Sequence, residues 1–312
     1  MIYTLSKSRI YRVRLALLFI AVFAIFLFIV SVNKALAAPQ DITMTPTTAS
    51  PVVNPGSEYK GSFQVINQGK SGYKFLVYAT PYRVSGEDYN PEFTVLPSAP
   101  NISSWLNFSS PGGYINPGQT ATIHYTISVP ENTQPGGYYA AAFAETQFPK
   151  VGNSITLNER VGELFYIQVA GPVAKKGELI TWQSNFLQKP PLTSTIRIKD
   201  DGNIHFPADI HYNIQDIFGN NKYSLHTVKE LLPQTIRRIT IPWTKTPSFG
   251  LFKVNGTVSF LGQTHNLPTH WILVMSNTVR LTVLIIVIIL VLVIIFGPKL
   301  FSGKKHKSHR RK

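Results

Sequence analysis

A strict alternation of apolar and polar side chains recurs along the middle of this chain of 312 residues. Between residues 121 and 129 every odd position is apolar and every even position is polar, and residues 252–260 repeat the pattern with Gly256 in one apolar place. Shorter versions occupy residues 62–65 and 73–79. A period of two puts the apolar side chains on one face of a pleated strand, whereas a helix needs a period near 3.6. These segments are therefore predicted to be strands that each bury one face.

Turn-forming sequences separate the alternating segments, and no long amphipathic helical pattern lies between them. Many short strands divided by such turns are typical of antiparallel sandwiches. The predicted fold class is all-β, with two tandem immunoglobulin-like β-sandwich domains. The separating turns are Asn54-Pro55-Gly56, Asn67-Gln68-Gly69, Asn116-Pro117-Gly118, Pro135-Gly136-Gly137, Asp201-Gly202-Asn203 and Phe218-Gly219-Asn220.

Two apolar runs flank this middle. Residues 15–30 are apolar, follow four positive charges and precede Ala35-Leu36-Ala37, the small-residue pattern that a signal peptidase reads. They predict a signal peptide over residues 1–37 with cleavage before Ala38, and an uncleaved anchor is the alternative. Residues 281–296 contain no charge and predict one transmembrane helix over residues 279–297. The basic residues of 298–312 are predicted to form a cytoplasmic tail.

The two ends predict a protein of the cell membrane, single-pass after signal cleavage, with its main domains outside the cell. The ends also carry much of the net charge of +15, because the middle holds 17 of the 30 basic residues against all 15 acidic ones. A nucleic-acid partner is therefore not predicted. The absence of cysteine excludes disulfides, cysteine-ligated metal and a thiol nucleophile.

An internal echo divides the middle into two similar parts. Pro117-Gly118-Gln119-Thr120, a strand ending at Pro130 and then Gly137-Tyr138-Tyr139 correspond to Pro233-Gln234-Thr235, a strand ending at Pro242 and then Gly250-Leu251-Phe252. Gly-Pro and Lys-Lys-Gly sequences interrupt the strands between the copies. The predicted domains are accordingly residues 38–172 and 173–276.

A series of short motifs follows in order along the first of these domains. They are Asn54-Pro55-Gly56, Phe63-Gln64-Val65-Ile66-Asn67, Ser104-Trp105-Leu106, Asn116-Pro117-Gly118-Gln119-Thr120, Val129-Pro130, Gly136-Gly137-Tyr138-Tyr139-Ala140 and the strand over residues 164–169. By these motifs the domain resembles the N-terminal, peptidoglycan-binding domain of the WxL-interacting proteins, a family of Gram-positive cell-surface proteins. The resemblance implies that the first domain attaches to cell wall or wall polysaccharide, and that the second binds surface proteins or a host.

No catalytic, cofactor or metal site is predicted. His205 and His211 are six residues apart across a predicted strand, which is not a metal spacing. Residues 200–203 lack the alternating acidic ligands of a calcium loop and predict a hairpin turn. Glu159 and Glu163 could form a glycosidase pair only across a cleft, so a solvent-facing start of a strand is the preferred interpretation.

Four tyrosines are the predicted ligand-binding residues. Tyr78 alternates with the residues of its strand that are predicted to face the core, so its side chain is expected on the outer face. Tyr82, Tyr89 and Tyr114 lie in predicted loops. The rings of these four tyrosines could stack against sugar rings.

The preferred function is a non-catalytic, membrane-anchored surface protein that binds cell wall or surface protein partners as a scaffold or adhesin. An extracytoplasmic subunit of an envelope or secretion complex is the alternative, and a wall hydrolase is a third. Exposed edge strands could add a strand from a partner by backbone pairing.

Overall fold

The computed structural model describes residues 42–96, 100–147 and 158–301, without the side chains of residues 293 and 295–301. The predicted signal peptide over residues 1–37 and the tail residues 302–312 lie outside these ranges.

The first sandwich is built from strands around its own core. Its strands are β1 (Ile42–Thr45), β2 (Thr48–Ala49), β3 (Val52–Val53), β4 (Glu58–Asn67), β5 (Tyr73–Pro81), β6 (Arg83–Ser85), β7 (Asn90–Glu92), β8 (Leu106–Phe108), β9 (Gly112–Ile115), β10 (Thr120–Ser128), β11 (Gly136–Gln147) and β12 (Arg160–Val169). A 3-10 helix, Ile102–Trp105, precedes β8.

The second sandwich has fewer and mostly longer strands, and one helix follows it. The strands are β13 (Gly177–Gln183), β14 (Leu187–Gln188), β15 (Leu192–Asp200), β16 (Phe206–Asp216), β17 (Asn221–Leu231), β18 (Thr235–Trp243), β19 (Phe249–Phe260) and β20 (Gln263–Met275). The helix is α1 (Asn277–Phe301).

The two sandwiches repeat one topology. The first pairs a sheet of order β1-β4-β10-β8 with one of order β2-β12-β11-β5-β9, and the second pairs β13-β15-β18 with β14-β20-β19-β16-β17. The correspondence extends to an unusual detail, since β2 and β3 run parallel to β12 as β14 runs parallel to β20. The echo in the sequence falls on β10–β11 and β18–β19, which hold equivalent places. The all-β fold class and the immunoglobulin-like sandwiches are therefore confirmed, whereas the boundaries at residues 172 and 173 stay predictions.

The alternating segments bury the faces that their period indicates. Phe63, Val65, Ile123 and Ile127 lie in the first core, and the β19 residues Phe252, Val254, Val258 and Phe260 lie in a separate second core. Gly256 replaces an apolar residue because a Cβ there would lie 2.2 Å from the carbonyl oxygen of His211. The close approach of β16 to β19 thus explains the one interruption of the pattern.

Apolar side chains cover the helix α1 on all sides. Leu281, Leu284, Ile286 and Leu290 are each about half exposed, and no described side chain of the helix is buried. A search of the described residues finds no helix both long enough and apolar enough to span a membrane. The transmembrane helix over residues 279–297 stays a prediction.

A glutamate lies in the first core without a partner. Glu163 of β12 is 0% exposed, and neither carboxylate oxygen has a hydrogen bond among the described residues. Glu163, Phe165 and Ile167 are alternate residues of β12, so the Glu163 side chain faces the core as the other two do. The expectation of a solvent-facing strand start is therefore wrong for this residue. Burial raises the pKa of the Glu163 carboxyl to about 8, since the charged form loses its hydration.

The substitution Glu163→Gln should therefore change how stability depends on pH. The folded wild type favours the protonated carboxyl, so its free energy of unfolding falls as the pH rises from the unfolded value near 4 to about 8. The variant cannot ionise there, and we expect its free energy of unfolding to exceed that of the wild type by about 5 kcal/mol at pH 9 and to match it near pH 4. Urea unfolding across this pH range measures the difference. Exposed Glu131→Gln is the control, and a pH-independent effect of Glu163→Gln would contradict the prediction.

Candidate functional site

The tip of the β6–β7 hairpin of the first sandwich contacts the second sandwich. Arg197 of β15 donates from Nε to Glu87 Oε2 at 2.7 Å and from Nη2 to Glu87 Oε1. The backbone N–H of Arg238 in β18 donates to the Glu87 carbonyl at 2.7 Å. The guanidinium of Arg197 lowers the pKa of the Glu87 carboxyl. A bidentate pair and a backbone bond together fix the hairpin on the β15–β18 sheet.

Tyr89, on the same hairpin, inserts its side chain into the contact. Its hydroxyl accepts from the backbone N–H of Leu232 at 2.9 Å and lies 2.5 Å from Thr235 Oγ1. The guanidinium of Arg237 lies 4.3 Å from the ring centroid. Burial raises the pKa of the Tyr89 phenol, which stays a neutral hydrogen-bonding group.

A second set of contacts joins the start of β11 to the β15–β16 connection. The N–H of Gly137 donates to Asn203 O at 2.9 Å, and the N–H of His205 donates to the Tyr139 hydroxyl at 3.1 Å. Burial lowers the pKa of His205 to about 4, so this imidazole is neutral at physiological pH. We call these contacts, with those of Glu87 and Tyr89, the junction.

The junction corrects the prediction for residues 200–203. Asp200 ends β15 in one sheet and Phe206 starts β16 in the other, so the segment crosses between sheets and is not a hairpin turn. The Asp200 carboxylate accepts from the N–H of Gly202 at 2.7 Å, and Asn203 faces the first sandwich. This inter-sheet connection places its backbone against the first sandwich, where the Asn203 carbonyl accepts from the N–H of Gly137.

The four predicted ligand-binding tyrosines do not form one site. Tyr82 and Tyr89 are 7% and 9% exposed and belong to an apolar cluster that includes Leu232 of the second sandwich. Tyr78 packs on Phe143, and its hydroxyl donates to Glu145 at 2.7 Å. Tyr114 alone of the four is largely open, at 61% exposed, beside a shallow pocket that it lines with Lys74 and Leu76. Stacking against sugars stays a prediction, and the buried rings of Tyr82 and Tyr89 are not available for it.

The strand edges differ in how far they are covered. Every second residue of β18 turns its N–H away from β15. On this side the N–H of Arg238 donates to the Glu87 carbonyl, and Pro242 has no N–H. The edge strand β13 has a register shift between Leu179 and Thr181, a bulge that disrupts pairing. In the first sandwich the edge strands have four residues or fewer.

The strand β17 is the long edge that remains open. It has eleven residues, pairs only with β16 along its length and contains no proline. Among the described residues, its backbone makes one bond outside the ladder, where the Glu230 carbonyl accepts from Arg237 Nη1 near the junction. Such an unpaired row of N–H and C=O groups is a template for another strand.

A cleft separates this edge from that of β18 in the facing sheet. The cleft has a volume of about 470 Å³ and is lined by Lys222, Tyr223, Ser224, Trp243, Thr244 and Lys245. The rings of Tyr223 and Trp243 stack with centroids 6.3 Å apart and form its floor. In the first sandwich β8 pairs with β10, the counterpart of β18, and covers the equivalent position. The sequence indicated edge strands in general but not which of them is free.

Comparisons with known proteins find similar folds only among solved structures. No family model and no curated protein matches the chain. The class 5 fimbriae chaperone CfaA is 13% identical over 74% of this chain and 98% of its own, with a TM-score of 0.38. The E. coli chaperone DraB is 13% identical over 74% and 96%, with a TM-score of 0.38. The CsuC–CsuE chaperone-tip adhesion subunit complex from Csu pili of Acinetobacter baumannii is 10% identical over 75% and 98%, with a TM-score of 0.37. At these identities and scores the similarities support no inference about function, partner or location.

The substitution Tyr89→Phe should weaken the junction. It removes the hydroxyl that Leu232 and Thr235 contact and leaves the buried N–H of Leu232 without an acceptor, at a cost of about 1–2 kcal/mol. We expect faster hydrogen exchange at the Leu232 amide and a lower free energy of unfolding. Tyr114→Phe, at the exposed ring, should leave hydrogen exchange at the Leu232 amide unchanged and should change the free energy of unfolding by less than about 0.5 kcal/mol. Equal exchange at Leu232 in both variants would show that the Tyr89 hydroxyl does not hold the junction.

Proposed function

We propose that this chain is a non-catalytic, extracytoplasmic subunit of an envelope assembly that binds an extended segment of a partner protein along the edge of β17. The observation that carries the proposal is the combination of eleven residues, an unpaired backbone edge and the absence of proline in this one strand. An added strand would satisfy the backbone groups that now face water.

Side chains along β17 provide two rows of contacts for such a segment. Ser224, His226 and Val228 point away from the core and are exposed, whereas Tyr223, Leu225 and Thr227 are half buried. A strand added beside β17 would place alternate side chains next to each row. The row of Tyr223 borders the cleft, so that row offers an aromatic surface for apolar side chains of the partner.

The junction supports the proposal because it leaves β17 free. The hairpin of the first sandwich bonds to β15 and β18, and only the last residues of β17 approach it. The open part of the edge, residues 221–229, therefore lies beyond the contacts between the sandwiches. A rigid support lowers the entropy that a binding edge loses when its partner docks.

The extracytoplasmic location in this proposal is supported by the sequence of residues 1–37, and anchoring by that of residues 279–297. Apolar side chains at the helix-proximal end of the second sandwich favour a position against a membrane. Phe218 is 83% exposed, Phe249 59% and Ile217 50%, and the register of β16, β19 and β20 places all three at the end where α1 begins. Lys222 and Lys245 lie at the same end. Lys222 is paired with Asp216 at 3.1 Å, so Lys245 is the lysine of the two that suits an anionic lipid surface. Wall binding through the first sandwich, as the WxL-interacting resemblance implies, stays a prediction.

Site-specific photocrosslinking on intact cells tests the β17 edge. A photoreactive phenylalanine analogue at Ser224 or Val228 should give one discrete protein adduct, because both positions are exposed on the open edge strand. The same residue at Thr264, exposed in the β19–β20 hairpin, is the matched control and should give none. The variant Val228→Lys should reduce the adduct formed from Ser224, since a charge on an edge strand disfavours pairing. No adduct from either β17 position, or an equal one from Thr264, would overturn the proposal.

Tryptophan quenching by brominated lipids tests the position of the apolar loop. In the full chain reconstituted into bilayers, Phe218→Trp should add fluorescence that the lipids quench, because this ring projects from the end where α1 starts. Val228→Trp, ten residues further along the chain and also exposed, should add fluorescence that is not quenched. Equal quenching of the two added signals would contradict a membrane-facing end.

A further inference from the structure

Three side chains converge on the outer face of the β16–β17 pair, away from the junction and the cleft. Asp209 and His211 are alternate residues of β16 and therefore share a face, and His226 of β17 is in register with His211. Ala208, Ile210 and Tyr212 of the same strand point the other way and are 0% exposed. The three side chains thus face solvent, and each is about half exposed.

The donor atoms of this cluster lie close together. Asp209 Oδ1 is 2.7 Å from Nε2 of His226 and 3.5 Å from Nε2 of His211, and the ligand atoms of the three residues all lie within 4.8 Å of one another. The imidazole rings stack with centroids 4.3 Å apart and planes 4° from parallel. Two ring nitrogens and one carboxylate oxygen therefore border one small volume, and a metal ion there would displace the proton that His226 Nε2 shares with Asp209 Oδ1.

We propose that Asp209, His211 and His226 form a binding site for a divalent zinc ion. Two imidazoles and a carboxylate suit zinc, whereas calcium and magnesium prefer all-oxygen sites. Metal–ligand distances near 2.1 Å require donors about 3.4 Å apart in a tetrahedral site, so the His226–Asp209 pair must open by about 0.7 Å. The stacked rings must also rotate, because the lone pair of each nitrogen lies in its ring plane. Exposed side chains on two paired strands can make both adjustments without moving the backbone.

The bound ion would link β17 to β16 by a cross-strand chelate. Three protein ligands leave at least one coordination position for water or for a side chain of another molecule. The sequence did not indicate the site. His211 and His226 are fifteen residues apart, and only the β16–β17 hairpin brings them into register. The inference is independent of partner binding at the β17 edge, because it concerns the purified chain alone.

Calorimetric titration of the purified full chain with zinc chloride, without a histidine tag, tests the site. We expect binding in the micromolar range that His211→Asn and His226→Asn each weaken by about tenfold or more, since losing even an outer-shell partner of a metal costs that much. His124→Asn, at an exposed strand histidine of the first sandwich, is the matched control and should bind as the wild type does. Any binding by the other histidines is common to all variants.

Cobalt supplies a second measurement, and circular dichroism confirms that each variant is folded. The visible absorption of bound cobalt should show nitrogen and oxygen ligation in the wild type and disappear in the double variant His211→Asn with His226→Asn. Unchanged zinc affinity in the His211 and His226 variants, or no zinc binding by the wild type, would overturn the proposal. Crosslinking from Ser224 measures the β17 edge separately, so failure of the metal site leaves that result intact.

Discussion

Every backbone N–H and C=O at the edge of a sheet must be hydrated or paired. The edge strands of the two sandwiches meet this requirement in different ways. The junction satisfies part of the β18 edge through the Glu87 carbonyl, and Pro242 removes a donor further along. A bulge disrupts β13. The edge of β17 has no proline and no bond to the hairpin, and its one bulge, at Lys222, lies next to its start, although natural sheets usually protect a strand of this length. In the proposed function, a partner strand covers the open part of this edge.

The shared topology of the two sandwiches makes their differences informative. Equivalent places are held by β9 with four residues and β17 with eleven. The strand β8 pairs with β10, whereas no strand of the described residues pairs with β18 on that side. The first sandwich thus closes the side that the second leaves open. Its β6–β7 hairpin contributes Glu87 and Tyr89 to the junction. In the proposed function, the first sandwich supports and orients the second, and the second presents the binding surface.

Local sequence predicted the strands well because a period of two depends only on neighbouring residues. The faces of Phe63 and Val254, the all-β class and the repeat of β10–β11 in β18–β19 all followed from it. Features that depend on distant residues did not follow. Tyr89 was expected to be open because it lies in a loop, but Leu232, 143 residues away, buries it. Glu163 was expected at a solvent-facing strand start because a catalytic role would have required a cleft, and only the packing of β12 shows that the residue is buried. The open edge and the His211–His226 pair likewise depend on which strands meet.

Magnitudes determine what the β17 edge can contribute to binding. Ordering each residue of an extended segment costs about 1–2 kcal/mol of backbone entropy, whereas a net hydrogen bond returns about 0.5–1.5 kcal/mol. Along an edge strand only alternate residues bond to the neighbour, so backbone pairing alone leaves a segment of six residues unbound. The affinity must come from apolar contacts, at about 25 cal/mol for each Å² buried. Tyr223 and Trp243 in the cleft and the exposed Val228 are the apolar side chains at hand on this edge. In the proposed complex, the backbone of β17 therefore sets the register of the partner, and these side chains select which partner is held.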